Sequence, residues 1–403
     1  MKKLIATTTI VASIMGTSNA AFAKDADFED RLKALESKYE KSSAQMPKSL
    51  LKAFKTAKIT GRLHIDSRFY DENDVQGDTK QDGIDISRAR LGIKGKLSDT
   101  ISYKFENDFA KNGSKIKDAY ISYDGIENTQ FKVGQFKQLF SLEELVSSNS
   151  ITFLDRSVAI DATPARAVGI GANTYGKNWQ IAAGIFGESV GNESRSDDSK
   201  YSASIRATVA PINSNGNLIH LGLAASSSSK DRNASVGPVV PESIDKENLY
   251  GAELAFGVKS LSLQGEYIIN DTTYDKDAIG TRNGTSSIYE SYYAQISYVL
   301  TGESRTYHAQ SGTFKSVKVK NPVDKGGIGA WELAARISQN DSNDDDNGVA
   351  LIDGKIKEMT LGVNWYLNNN TRLMANYVTS TTDDRNNANK EFDAFLVRAQ
   401  FNF

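Results

Sequence analysis

The sequence predicts an all-β fold: a transmembrane antiparallel β-barrel of about sixteen strands, with an inward-folded constriction loop and a short N-terminal helical segment. Three observations predict it. The chain ends in FLVRAQFNF, where Phe403, Phe401, Ala399, Val397 and Phe395 share one parity and Asn402, Gln400, Arg398 and Leu396 the other. Successive strand side chains point to opposite faces, so one face is apolar, the other mostly polar, and an aromatic closes the terminus. At the opposite end, residues 1–23 read as an export signal. Lys2 and Lys3 precede an apolar stretch from Leu4 to Ile14, and Ala21-Phe22-Ala23 fits the small-x-small cleavage rule. From Ile59 onward, hydrophobicity alternates with a period of two in one segment after another.

Cleavage after Ala23 would start the mature chain at Lys24. The expected organisation is a signal peptide over 1–23, a periplasmic helical segment over 24–57 and a barrel over 58–403. Leu4–Ile14 is too short to cross a bilayer as a helix, and no later window approaches the ~20 apolar residues a membrane helix needs. An exported chain without such a span is a periplasmic protein or an outer-membrane barrel. Barrels look hydrophilic by composition, because only every second residue meets lipid. The chain has no cysteine, so disulfides do not brace it. The formal charge is −2, and loss of Lys2 and Lys3 with the signal takes it to −4. Such a balance is too mild for nucleic-acid binding, and in a pore the side that charges face matters more than their sum.

Within 24–57 helix formers dominate and glycine is absent. Phe28, Leu32, Leu35 and Tyr39 recur at 4-3-4 spacing, a narrow seam flanked by Glu and Lys. It is either a leader helix that tethers the chain or a short bundle formed where several barrels meet. Leu50, Leu51 and Phe54, after Pro47, lead into the first strand.

In ITGRLHIDSRF, Ile59, Leu63, Ile65 and Phe69 oppose Arg62, His64, Asp66 and Arg68. In SRARLGIKGKL, Ala89, Leu91, Ile93 and Leu97 oppose Arg88, Arg90, Lys94 and Lys96. Ile101, Tyr103 and Phe105 then oppose Lys104, Glu106 and Asp108. Later segments alternate through Ile219–Leu223, Leu261–Tyr267, Ala294–Tyr298, Trp331–Ile337 and Leu361–Trp365. Turn clusters such as NSNGN and LNNN separate them. Segments recurring about every twenty residues, with ~10-residue membrane strands, give about sixteen strands. A barrel of that size keeps a water-filled lumen.

One connection differs. From Lys137 to about Val168 alternation lapses, and Glu143, Glu144, Asp155, Arg156, Asp161 and Arg166 mix with apolar residues such as Leu139, Phe140 and Leu142. Loops this long are functional or disordered, and the apolar content argues against disorder. Such a loop either folds into the lumen and narrows it or caps the barrel from outside. Catalysis is poorly supported: His64, His220 and His308 are isolated, whereas a nucleophile or activated water needs a base held against it. No spacing marks a cofactor or metal site. The Asp344-Asp345-Asp346 run reads as a solvated loop tip. A surface adhesin would carry a large exported domain, and nothing here exceeds loop size.

Several stretches resemble the phosphate-selective porin O and P family: ITGRLHIDSRF, RARLGIKG, FKVGQF…SLEELVSSNSITFLDRS, NLIHLGLA, YYAQISYVLTGESRTY, GGIGAWELAARIS, TLGVNWYLNNNTRLMANYV and the terminal strand. They follow the family's order and cover nearly all of the chain after Thr60. The resemblance implies a sixteen-stranded, trimeric outer-membrane channel with inward-folded loops and a lumen lined by basic residues. Arg62 matches an arginine of the family's basic ladder. Arg88 matches the second of two adjacent arginines; the first is Ser87 here, and Arg90 restores charge on that face. Asp118 matches an acidic residue beside the constriction, Arg156 a loop arginine, and the hydroxyls Ser147 and Ser148 are retained. Where phosphate-binding members follow Leu-Glu with a lysine, this chain has Glu144. That exchange turns attraction into repulsion, each on the order of several kcal/mol at an effective ε near 20.

Two channel readings follow. One is an anion-preferring pore that steers phosphate-type or other small anions with Arg62, Arg68, Arg88, Arg90, Lys94 and Lys96. The other is a general diffusion pore for small nutrients, in which opposed basic and acidic walls set up a transverse field; Glu143, Glu144 and the mature charge favour it. Either way the expected partners are small solutes, outer-membrane lipid, the barrel assembly machinery and two further copies of the chain, without nucleic acid.

Overall fold

The structure, a computed structural model, describes residues 47–72, 82–110, 113–161, 163–190, 201–229, 244–274, 286–342, 354–383 and 390–403, with Asp30, Lys33, Ala34 and Ser37. The expected signal peptide, the Phe28–Tyr39 seam and the Asp344–Asp346 run lie outside the described residues. A helix, α1 (Lys48–Thr56), precedes the first strand. Its last residue is pinned to the sheet, since Thr56 Oγ1 accepts from the Lys96 amide at 2.7 Å.

Eighteen strands follow among the described residues: β1 (Lys58–Glu72), β2 (Gly83–Lys96), β3 (Ile101–Asp108), β4 (Lys115–Ile126), β5 (Thr129–Lys137), β6 (Arg166–Tyr175), β7 (Trp179–Phe186), β8 (Tyr201–Ser214), β9 (Asn217–Ser229), β10 (Ile244–Val258), β11 (Leu261–Tyr274), β12 (Ser286–Val299), β13 (Arg305–His308), β14 (Thr313–Val317), β15 (Ala330–Asp341), β16 (Lys355–Tyr366), β17 (Thr371–Asp383) and β18 (Lys390–Asn402). All but β13 and β14 close into one sixteen-stranded antiparallel barrel, with β18 beside β1. Closure satisfies every strand edge inside a solvent that offers no hydrogen bonds. Along each strand, aliphatics and aromatics such as Phe69, Leu91, Ile121, Leu223, Ile337 and Phe395 are exposed on the outer face. Trp331 and Trp365 stack there at 5.0 Å, a cross-strand pair of the kind that sits at the edge of an apolar band.

The seam depends on the last residue. Phe403 exchanges backbone hydrogen bonds with Gly61 at 3.0 and 3.1 Å. Its ring lies over Gly61, where a β-carbon would sit 2.3 Å from Cζ. Glycine is therefore required for the terminal ring to lie flat across the joint. The register next to it pairs Leu63 with Phe401 and Arg62 with Asn402.

A β-bulge where β2 meets β1, between His64 and Ile65, shifts the register there. It leaves Ser87 and Arg88 both turned to the lumen, where they reach Arg398 and His64 respectively. Short turns join the strands on one side; Asn215-Gly216, both at positive φ, form the tight turn of the NSNGN cluster.

Among the described residues, two connections enter the lumen, one more than the sequence reading singles out. Residues 138–165, between β5 and β6, form the expected inward loop. Residues 300–329, between β12 and β15, arise on the short-turn side and carry the β13–β14 hairpin. The alternation in this stretch belongs to a hairpin standing inside the barrel, not to wall strands. The apolar core therefore sits in the lumen. Phe140, Ala159 and Ile160 of the first loop pack on Leu249, Ile268 and Tyr293. Leu142, Val146 and Ile151 meet Phe314 of the hairpin. Leu154 meets Leu396 and Met374, which explains why an aliphatic stands beside Arg398 and Gln400 on the polar face of the terminal strand.

Deleting Phe403, or substituting Gly61→Leu, is expected to reduce the heat-modifiable folded species recovered from outer membranes while leaving synthesis and export intact. Gel mobility with and without heating measures it; normal recovery of both variants would show that the terminal ring does not close the seam.

Candidate functional site

The first inward loop begins under strain. Ser141 sits at φ +64°, unusual for a side chain with a β-carbon, and its hydroxyl accepts from the Glu144 amide at 3.1 Å, capping α2 (Leu142–Leu145). The wall supplies the rest of the cap: Glu266 on β11 accepts from the amides of Leu142 (2.9 Å) and Glu143 (2.7 Å) and from the Tyr293 hydroxyl (2.7 Å). A carboxylate on those free amides satisfies donors that a buried turn must not leave open.

Three wall arginines then hold the loop's carbonyls. Arg372 on β17 donates to Ile151 O at 2.9 Å, and Arg398 on β18 to Leu154 O at 2.5 Å. Arg336 on β15 donates to Asp155 O at 3.1 Å and covers the Phe153 ring. Arg398 is paired with Asp66 through two contacts of 2.6 Å. Glu143 accepts from the Ser157 amide at 3.1 Å and pairs with Arg336 at 3.4 Å.

The second inward segment is fixed in the same way. Arg206 on β8, bidentate to Glu253 at 2.7 Å, donates to Gly312 O at 2.8 Å. Gly312 has φ +56°, and a β-carbon there would lie 2.8 Å from the guanidinium. His220 bridges Glu253 and the Tyr307 hydroxyl, at 3.1 and 2.6 Å. The two segments touch through Arg305 to Ser150 O (3.1 Å) and Ser316 to Asn149 O (3.3 Å).

Together they fill the lumen along β9–β18 and leave a cavity of about 380 Å³ against β1–β8. Among the described residues lining it, nine are Lys or Arg and two are Asp or Glu. Arg62 donates to Ser148 Oγ at 2.8 Å and to Ser147 Oγ at 3.4 Å, and pairs with Glu106 at 3.1 Å. Arg90 pairs with Asp108 at 2.7 Å and with Glu106 at 3.3 Å. Asp118 is held between Lys104 and Arg166, the latter at 2.7 Å. Lys132 lies over the Tyr120 ring at 5.3 Å. The carboxylates are outnumbered, so the cavity keeps a surplus of cationic donors.

Glu144 sits at the edge of this cavity between Lys137 (3.1 Å) and Arg156 (3.2 Å). Burial pushes its carboxyl up, and Lys137 and Arg156 more than reverse that, so it lies below the usual glutamate value and is ionised at neutral pH.

The structure thus brings Arg62, Arg90, Asp118, Ser147, Ser148 and Arg156 together. Arg88 stands one level away, donating to His64 Nδ1 at 3.3 Å, and Arg68 pairs with Asp155 at 2.8 Å. Lys94 and Lys96 are exposed on β2 and do not line that cavity, although Lys94 is the cross-strand partner of Lys104 and lies in electrostatic reach of Lys315. Glu143, read from the sequence as facing the passage, is 4% exposed and turned to the wall. Sequence reasoning missed Lys104, Lys132, Lys137, Arg166, Arg206 and Lys315 as a group. Strand parity marks Lys104 and Lys132, but nothing local says that residues so far apart meet in one cavity.

A model of the phosphate-selective porin O and P family matches residues 57–403. The chain belongs to that family. It is 28% identical to Porin O of Pseudomonas aeruginosa over 395 residues, covering 86% of this chain and 88% of that one. Among solved structures, the fold is shared with an anion-selective porin from Comamonas acidovorans, at 15% identity and a TM-score of 0.57 over 86% of this chain and 99% of that one. It is shared equally with the outer-membrane channel DcaP of Acinetobacter baumannii, at 15% identity and a TM-score of 0.56 over 86% of this chain and 97% of that one. The protein is an outer-membrane porin: a closed barrel whose lumen passes small solutes.

Removing one loop anchor tests the scaffold. Arg398→Met leaves buried Asp66 with Arg68 at 3.2 Å in place of its bidentate partner, a change toward the lower end of the about 3–5 kcal/mol that breaking a buried pair costs. It should lower the unfolding temperature in detergent and add noise to single-channel currents. An unchanged unfolding temperature and quiet current would show that the loop is held by packing alone.

Proposed function

We propose that this porin prefers small anions, with phosphate-type oxyanions among its solutes. The observation that carries the reading is the basic lining of a cavity of about 380 Å³, where nine Lys and Arg side chains face Glu106 and Asp118 and remain in surplus after Arg206, Arg90, Lys137 and Arg156 are paired with Glu253, Asp108 and Glu144. Guanidinium and ammonium groups replace part of an anion's hydration shell by charge-assisted hydrogen bonds. Arg62 with Ser147 and Ser148 offers two kinds of donor at one point. The family's description as phosphate-selective and the anion selectivity named for the Comamonas porin support the same direction. A general diffusion pore is favoured by a different feature: Glu106, Asp108 and Asp118 already neutralise part of the basic face.

The same barrel supports a homotrimer. Strands β3 and β7 have 8 residues and β5 has 9, against 13 to 15 in β8–β12. Eight residues at about 3.3 Å each, tilted by about 40°, rise only about 20 Å, less than an apolar band of ~25 Å. A wall that low is suited to face other copies of the chain, and an OmpT structure of the same fold is described as a trimer form. The terminal aromatic strand suits recognition by the barrel assembly machinery, and the outer apolar face suits lipid.

Reversal potentials across a salt gradient in a planar bilayer test the selectivity. The native channel should reverse on the anion side, and Arg62→Gln with Arg90→Gln should lower the anion-over-cation ratio several-fold. Cation preference in the native channel would leave the general-pore reading. Mass measurement of the unheated protein should give three chains.

A further inference from the structure

We infer that Glu144 is a tethered internal anion: its carboxylate occupies the bridging position between Lys137 and Arg156 and so keeps those two cations from capturing a passing oxyanion. This rests on the anion-channel reading and names the residue that sets how tightly the channel holds its solute.

The geometry carries the inference. One Glu144 oxygen lies 3.1 Å from Lys137 Nζ and the other 3.2 Å from Arg156 Nε, the arrangement that two oxygens of a phosphate-type anion would adopt between the same donors. Both cations line the open cavity, as do Arg62 and Ser148. Neither depends on the carboxylate for its position. Lys137 also donates to the carbonyls of Glu144 and Val146. Arg156 donates to those of Glu143, Glu144 and Val146, at 3.1, 3.2 and 2.9 Å. These are the free carbonyls at the end of α2, which attract cations whether or not an acid is near. Neutralising Glu144 would therefore leave two preorganised donors beside the passage without the carboxylate they share.

The consequence is a trade between retention and release. Conduction needs a solute held firmly enough to enter and loosely enough to leave. With the carboxylate in place, a solute meets Arg62, Arg90 and Lys104 but finds the Lys137–Arg156 pair already occupied. Without it, that pair adds two donors to the passage, and the channel becomes a binder.

The test is block of chloride current by inorganic phosphate in single, full-length, heat-modifiable channels at neutral pH. Glu144→Gln keeps the side chain's size and removes its charge. It should tighten phosphate block tenfold or more and lengthen the blocked intervals, while chloride current persists. Adding Lys137→Gln should return the block most of the way to native. Glu144→Ala serves as the second variant and should behave as Glu144→Gln does. A native channel with anion preference whose phosphate block moves less than twofold in both single variants would overturn the inference and leave the anion-channel reading standing. A native channel without anion preference would overturn both. Failure of both variants to assemble would make Glu144 a structural ion-pair partner, which also overturns it.

Discussion

The lumen depends on charged wall residues holding the backbone of the inward segments. A loop crossing a barrel interior carries carbonyls and amides that find no ladder partner, and each would be costly to bury unmet. Here arginines take the carbonyls and Glu266 takes the amides. The arginines are buried charges in their own right: Asp66 pairs with Arg398, Glu143 with Arg336 and Glu253 with Arg206, while Arg372 is met by Gln400 and the Tyr366 hydroxyl. The loop, the wall and the buried acids therefore stand or fall together.

That anchoring divides the basic residues into two groups with different work. Arg206, Arg336, Arg372 and Arg398 are nearly or fully buried and hold backbone. Arg62, Arg90, Lys104, Lys132 and Arg166 border open space along β1–β6. Counting inward-facing cations would treat both groups alike. Of the first group Arg206 alone also borders the cavity, and its guanidinium is taken up by Glu253 and the hairpin backbone. Because the two segments fill the β9–β18 side, the cations of the second group face a narrowed passage instead of a wide lumen, where screening by salt would weaken them.

Glu144 shows how local compensation changes the meaning of a charge. Taken alone, a glutamate where phosphate-binding relatives have a lysine reverses the local field. In the fold its charge is spent on Lys137 and Arg156, so the cavity stays cationic and the exchange bears on how the site binds more than on its sign.

Period-two alternation and the aromatic terminus marked the barrel from sequence alone, because lipid on one side and water on the other impose the same repeat on strand after strand up to the chain's last residue. They also placed Arg62 and Arg90 on the lumen face, and the lapse of alternation after Lys137 marked the first inward loop. Three things had no local signal. The bulge beside Ser87-Arg88 is a property of strand pairing. The second inward segment looks like strand because its hairpin is strand. Whether a given inward charge, such as Glu143 or Arg398, faces solute or holds a loop is decided by residues up to hundreds of positions away, through contacts that exist only once the sheet has closed.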